Sequence, residues 1–381
     1  MDFSFSEEQR LIRDTVRQFM ETEVRPVVRE HDRKEEFPHE IVHRLGEMGI
    51  LGMLVPEEWG GSGADTISYA LVLEEISRVS ASIGVTVSVN NSVACFPIYK
   101  FGSEEQKKKY LPPCARGEWL GAFCLTEPQA GSDAAAIQTR AVRRGDCYLL
   151  NGTKSWVTNG GVARIYLVMA LTEPGAGSRG ISTFVVEDSF PGFRVARFED
   201  KMGLRSSKTA EVVFEDCAVP AANLLGREGQ GLKIALASLD AGRVGIAAQS
   251  VGIAQGALDE AVRYSKERVA FGKPIKEFQA IQWMLADMAT EIEAARALTL
   301  RAAFLRDQDV ERLGAISSGA KLYASEMANR VVARAVQIHG SAGYSRESDV
   351  ERMYRDARVT TIYEGTSEIQ RLVIARELLG E

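Results

Sequence analysis

Short β-rich runs follow one another between residues 119 and 220: 121–125, 139–143, 148–151, 154–158, 165–171, 182–186, 194–197 and 210–214. Gly-Asp, Asn-Gly, Pro-Gly and Gly-Leu dipeptides lie between them, and no amphipathic helical pattern separates any two. Parallel strands need crossovers of a dozen or more residues, normally helical. Short strands at turn spacing therefore predict an antiparallel sandwich or barrel, and they exclude a doubly wound βαβ sheet.

Both flanks are helical. Ser6-Glu7-Glu8-Gln9 reads as a capping box opening an amphipathic helix through Leu11, Ile12, Val16, Phe19 and Met20, with Pro26 placed to kink or divide it. Further helical stretches cover 40–48, 67–79 and 104–110, and Pro112-Pro113 closes the region. Beyond residue 226 the stretches 232–268, 278–307, 312–339, 349–357 and 366–379 carry apolar residues at helical spacing. Within them, 245–257 and 294–303 are apolar nearly all round, which belongs inside a bundle, including one that other subunits extend. The expected fold class is therefore α+β and multidomain. It has an N-terminal all-α domain (1–118), a middle antiparallel β-barrel or sandwich domain (119–225) and a C-terminal helical-bundle domain (226–381). A length of 381 residues agrees, at about 150 residues per domain.

Composition narrows the chemistry. Lys plus Arg number 46 against 52 Asp plus Glu, a formal charge of −6, with no basic block to bind nucleic acid or an anionic membrane. Four histidines (His31, His39, His43, His339) and five scattered cysteines (Cys95, Cys114, Cys124, Cys147, Cys217) form no C-x-x-C or H-E-x-x-H spacing, so no metal site is expected. The odd cysteine count suits reduced thiols and a cytoplasmic setting. No signal peptide and no run of 18 apolar residues for a membrane span are expected. Acid–base chemistry would rest on carboxylates.

The usual phosphate loops, G-x-x-x-x-G-K-[ST] and G-x-G-x-x-G between strand and helix, are missing. Cys124-Leu125-Thr126-Glu127-Pro128-Gln129-Ala130-Gly131-Ser132-Asp133 is a strand running into a loop rich in hydroxyls and amides. Such a loop can donate to a heteroaromatic ring or an anion, or can simply be a hairpin loop. Trp156-Val157-Thr158 puts an indole and a hydroxyl on a strand, for a cofactor ring or for the core. Asp240 and Arg243 share a helical face, where an ordinary surface ion pair is the bland alternative. Arg268-x-x-Phe271-Gly272-Lys273 ends that helix, and Gln337-Ile338-His339-Gly340-Ser341-Ala342-Gly343-Tyr344 ends another. Tyr363-Glu364-Gly365-Thr366-Ser367-Glu368 precedes a terminal helix whose entry can cap itself or receive an anion or a polarised oxygen.

Taken together and in this order, these stretches resemble the acyl-CoA dehydrogenase family over essentially the whole chain. The 124–133 stretch matches the family's first signature. The 337–344 stretch with Glu347, Arg352 and Asp356 matches its second, and the Arg268 and Tyr363 motifs support both. The resemblance implies a homotetramer, a dimer of dimers, with tightly but non-covalently bound FAD. It implies that Phe123, Leu125, Thr126, Gly131 and Ser132, with Trp156, Val157 and Thr158, cradle the flavin ring. Ser132 would also lie near the thioester. Arg268, Phe271, Gln279, Gln337, Gly340 and Ser341 would reach the FAD of a neighbouring subunit, and Thr366 and Glu368 would contact FAD. Asp240 and Arg243 would bind the CoA part of the substrate, with Gly365 beside the acyl group.

Glu364 matches the family's α-proton base, and its backbone N–H would help hold the thioester oxygen. A hydride then passes from the β-carbon to flavin N5, giving a trans-2-enoyl-CoA as in fatty acid β-oxidation. Electrons would go on to an electron-transferring flavoprotein. In isovaleryl- and long-chain-type relatives the base lies on the helix of the Asp–Arg pair, just before the Arg; here that position is Gly242. Asn90, Asn91 and Ser92 fall where the family closes its acyl pocket, which leans toward short straight or short branched acyl chains. Medium-chain, aromatic or dicarboxylic substrates are the alternatives, and an oxidase or monooxygenase on the same fold is a further one.

Overall fold

A computed structural model describes residues 4–308 and 313–380. The N-terminal helices are α1 (Glu7–Phe19), α2 (Val28–Lys34), α3 (His39–Glu47), α4 (Thr66–Val79), α5 (Ala81–Val89), α6 (Phe96–Phe101) and α7 (Glu104–Ala115). The expected capping box opens α1: Gln9 N–H donates to Ser6 Oγ at 3.1 Å and Ser6 N–H to Gln9 Oε1 at 3.0 Å. A π-helical turn, Met20–Val24, and Pro26 separate α1 from α2. Pro112 and Pro113 do not end α7, which continues through Ala115. The carbonyls that these prolines leave without a donor, on Lys108 and Lys109, belong to exposed residues, so water can serve them.

Against the expectation of none, one continuous helical run, Ala81–Phe101, is apolar and long enough by composition to cross a membrane, but nearly all of it is buried inside the protein. A π-helical turn, Asn90–Cys95, joins α5 to α6 within it. Asn90 Nδ2 donates to Leu51 O at 2.9 Å and Cys114 O at 3.2 Å, while its Oδ1 accepts from Gly121 N–H at 2.9 Å. Asn91 Nδ2 donates to Ile50 O and Val87 O, both at 3.0 Å. These amides tie the Ile50–Gly52 turn, α7 and β1 to this run, while Ser92 Oγ donates to Ser88 O at 2.6 Å.

The middle region holds β1 (Gly121–Cys124), β2 (Arg140–Arg144), β3 (Cys147–Thr158), β4 (Ile165–Leu171), β5 (Ile181–Glu187), β6 (Phe193–Phe198), β7 (Thr209–Pro220) and β8 (Leu224–Leu225). The sheet order is β6-β7-β3-β2-β4-β5-β8, with β1 added on β4. Most pairs are antiparallel, as expected, but β1 runs parallel to β4, from Gly121↔Ile165 to Cys124↔Val168. The 125–139 loop and the β2–β3 hairpin together form the long connection that a parallel pair requires.

The C-terminal helices are α8 (Gly231–Glu267), α9 (Gln279–Asp307), α10 (Leu313–His339), α11 (Asp349–Arg358) and α12 (Ser367–Leu379). The expected start of α10 at 312 lies outside the described residues. At 37 residues, α8 is about 55 Å long at 1.5 Å per residue. Its central stretch is buried on every side, against α4, α5, α9, α10 and α11. By contrast, α9 leaves Trp283, Leu298 and Phe304 exposed. Polar ties join the three regions: Leu204 N–H donates to Asp356 Oδ1 at 2.6 Å, Arg355 pairs with Asp32 at 2.8 Å, and Arg352 Nη2 donates to Val79 O at 2.9 Å.

Candidate active site

Glu364 sits in the turn before α12, at φ 50°, followed by Gly365 at φ 92°. Two successive left-handed residues are costly for a non-glycine and are kept only where surrounding contacts enforce them. Gln370 Nε2, on the first turns of α12, donates to Gly365 O at 2.8 Å and to Glu364 O at 3.1 Å. Lys321 Nζ donates to the same Gly365 carbonyl at 2.7 Å. Thr366 caps α12 by accepting from Ile369 N–H at 3.3 Å. The Glu364 amide N–H makes no hydrogen bond among the described residues.

This turn aims the Glu364 carboxylate at α8. A Cβ built on Gly242 would lie 2.1 Å from Glu364 Oε2 and 2.7 Å from its Cδ. Only a residue without a side chain leaves room for the carboxylate there. Oε2 is buried and accepts no hydrogen bond. Burial pushes the Glu364 carboxyl up to about 7, with Lys321 and then Arg243 pulling the other way. A carboxylate tuned to neutrality, buried and undonated, is equipped to take a proton from carbon.

Next to Gly242, Arg243 is buried; its Nη1 donates to Asp240 Oδ1 and, at 3.2 Å, to Ser318 Oγ on α10, while its Nε has no partner. Asp240 is the more exposed member, and burial raises its carboxyl against the pull of Arg243. On the other side of the turn, the Tyr363 hydroxyl donates to Gln249 Oε1, and Gln249 Nε2 donates to Ala81 O at 2.8 Å.

The 124–133 loop lies against the N-terminal half of α8, where Leu125, Ala130 and Ile137 pack with Ala235, Leu232 and Leu239. A buried ion pair shapes it. Lys154 Nζ, fully buried on β3, donates to Glu127 Oε1 at 2.7 Å and Leu125 O at 3.1 Å. Glu127 also accepts from the amides of Gln138 at 2.6 Å and Thr139 at 3.0 Å. Burial alone would raise the Glu127 carboxyl; Lys154 and these donors hold it below the usual range. Two residues on, the strand bulges and Trp156 stands at φ 59° with its side chain 59% exposed. Ser155 N–H donates to Thr126 O at 2.9 Å, which sets the indole beside the loop. An exposed indole at a strained bulge, next to the open loop of Gly131 and Ser132, offers a flat face to a heteroaromatic ring. Phe123 and Thr158 are half-buried, while Leu125 and Val157 point into the core and can offer only backbone.

A second group lies elsewhere. Arg268, Phe271 (96% exposed), Gln279, Gln337, Gly340 and Ser341 are surface residues at the far end of the bundle, where Tyr264 stacks on His339 at 4.3 Å. Arg243 stands on α8 and Arg268 caps its C-terminal end, about 38 Å away at 1.5 Å per residue. One chain therefore does not bring these residues to its own Glu364. In the second signature, Glu347 binds Arg33, while Arg352 and Asp356 are the inter-region ties already described. Their role here is structural.

Lys154, Gln249, Gln370 and Lys321 escape motif reading. For Lys321 a signal exists: it shares one stripe of α10 with Ser317, Ala320, Ala324, Ser325 and Ala328, all buried. An ionisable residue on a buried helical stripe is a candidate for function.

Profiles of a single family cover the chain: the acyl-CoA dehydrogenase N-terminal domain matches residues 6–118, the middle domain 122–217 and the C-terminal domain 229–379. A short-chain-specific acyl-CoA dehydrogenase of Clostridium acetobutylicum is 47% identical over 378 residues, covering 99% of this chain and 100% of its own. The butyryl-CoA dehydrogenase of Megasphaera elsdenii superposes with a TM-score of 0.97 at 46% identity, with 100% of both chains covered. A structure described as the electron transferring flavoprotein of Acidaminococcus fermentans gives 0.98 at 49% identity, again with 100% of both.

Proposed function

The chain belongs to the acyl-CoA dehydrogenase family, and from that membership we propose how its residues divide the work. It is a flavin-dependent oxidoreductase that dehydrogenates acyl-CoA thioesters, with short chains as its substrate class and an electron-transferring flavoprotein as partner. FAD is the cofactor, as in solved members of the family. The exposed Trp156 indole, the Thr126–Ser132 loop and Thr158 fit its ring. When bound, FAD accepts the hydride from the substrate's β-carbon.

Glu364 takes the α-proton. Its free amide N–H supports the same assignment by offering a donor to the thioester oxygen, on which negative charge develops as the proton leaves. Gly365 opens the turn, Asp240 presents a polar edge toward the CoA arm, and Arg243 holds Asp240 in place. Thr366 and Glu368 stand at the entry of α12, where free amides favour anionic cofactor groups. Arg268, Phe271, Gln279, Gln337, Gly340 and Ser341 serve the FAD of a neighbouring subunit in a homotetramer, a reading supported by the roughly 38 Å between Arg243 and Arg268 and by the exposed apolar face of α9. The domains divide near 118 and 225, and the free cysteines, four of the five buried, suit a cytoplasmic setting.

The observation that carries the assignment is the buried, undonated Glu364 carboxylate filling the gap that Gly242 leaves. The test is anaerobic titration of the FAD-loaded enzyme with butyryl-CoA, followed by bleaching of the flavin band. Glu364→Gln is expected to keep its FAD and slow bleaching by a factor of about 10²–10⁴, the usual worth of a general base. Full-rate bleaching in that variant would put the base elsewhere.

A further inference from the structure

Lys321 is fully buried, yet among the described residues its ammonium has one hydrogen-bond acceptor, the Gly365 carbonyl at 2.7 Å. A buried cation needs an anion close by, because desolvation costs more than one carbonyl returns. The charged and titratable groups around it leave one candidate. Asp240 on α8 is paired with Arg243, and Glu326 on α10 itself faces Arg371 at 3.8 Å. Glu368 on α12 is exposed, and the hydroxyls of Tyr363 and of Tyr69 on α4 are bound to Gln249 and Ser88. The Glu364 carboxylate, one peptide from the carbonyl Lys321 holds, has a buried oxygen with no donor.

We propose that Lys321 is a positioning residue for the base: it locks the left-handed Glu364–Gly365 turn through the Gly365 carbonyl and supplies the cation that offsets the burial of the carboxylate. This rests on Glu364 being the base. Gln370 grips the same carbonyl but brings no charge, so the two functions of Lys321 are separable. The electrostatics run the same way. Burial pulls the Lys321 ammonium down to about 8, with Glu364 the largest opposing influence, just as Lys321 is the largest influence holding Glu364 down toward 7. Removing Lys321 takes away the stronger of the two cations that oppose burial and leaves only Arg243, so Glu364 must hold its proton to higher pH.

The test is kcat/KM for butyryl-CoA against pH, with FAD-loaded Lys321→Met, Lys321→Gln and Lys321→Arg beside the parent. In Met and Gln the midpoint of the acidic limb is expected to rise by about one pH unit, which is about a tenfold loss at pH 6 that recovers toward high pH. Arg, which keeps the charge, is expected to leave the midpoint in place. FAD content and melting temperature, measured alongside, report a merely structural role, which would lower both without moving the midpoint. An unmoved midpoint in Met or Gln, with Glu364→Gln inactive, overturns the inference for Lys321 alone; Gln serves if Met does not fold. Retained bleaching in Glu364→Gln would overturn this inference and the base assignment together.

Discussion

At the scale of the residue, Glu364 is a place where burying an ionisable group costs stability. Its carboxyl titrates near 7 in the folded chain and near its ordinary 4.5 when unfolded. The folded state thus binds the proton more tightly, and folding stability falls as pH rises from about 4.5 through 7. The loss above that window is on the order of 3 kcal/mol, at about 1.4 kcal/mol per unit. Glu364→Gln removes the penalty. Its FAD-loaded form should melt a few degrees above the parent at pH 8 and together with it near pH 5. A melting difference that does not depend on pH would show that ionisation of Glu364 is not the cause. The motif around Glu364 made this residue legible in the sequence, and Gly242 was legible as a position unable to supply a base. That Gly242 is also the space the Glu364 carboxylate occupies became visible only in three dimensions. Lys321 stayed hidden because a lysine in a helix reads as solvated, and the tie of Asn90 and Asn91 to neighbouring backbone was hidden because a buried bracing amide looks, in sequence, like one that lines a pocket.

At the scale of the element, glycines let α4 and α5 close onto α8. A Cβ at Gly252 would lie 2.3 Å from Glu74 O, at Gly256 2.3 Å from Arg78 O, and at Gly245 2.5 Å from Ser88 Oγ. Alanine is the better helix former by about 1 kcal/mol, yet backbone atoms facing the new methyl cannot step aside. Gly252→Ala is therefore expected to destabilise the enzyme by about 1–3 kcal/mol, as overpacking does. Denaturant unfolding checks it; a variant as stable as the parent would mean that α4 has slack. Periodicity made the long helices legible to within a residue or two, and turn dipeptides placed most strands, but Asn151-Gly152, read as a break between 148–151 and 154–158, lies inside the single strand β3 at a register shift. The parallel β1–β4 pair was not legible, because local pattern carries no record of which distant strand lies alongside. Nor was the continuation of α7 past its prolines, which depends on where the freed carbonyls face.

At the scale of the whole molecule, α8 works as a spacer. Its N-terminal half carries Asp240, Gly242 and Arg243 beside Glu364, while Arg268 ends it on a distant surface. The α–β–α order could be read from composition and period alone; the assembly could be read only through the family, since an exposed apolar face on α9 does not name what covers it. The length of that spacer has a genetic consequence. If each active centre combines Glu364 of one subunit with Arg268 of another, two different defects need not add up to a dead enzyme. A hybrid dimer of Glu364→Gln and Arg268→Ala chains holds one centre with both lesions and one with none. Co-expressed, the two inactive alleles are expected to complement each other and to restore about half the parental flavin bleaching in isolated heterodimers, as isologous symmetry requires. Heterodimers as inactive as either parent would place Arg268 in the service of its own chain.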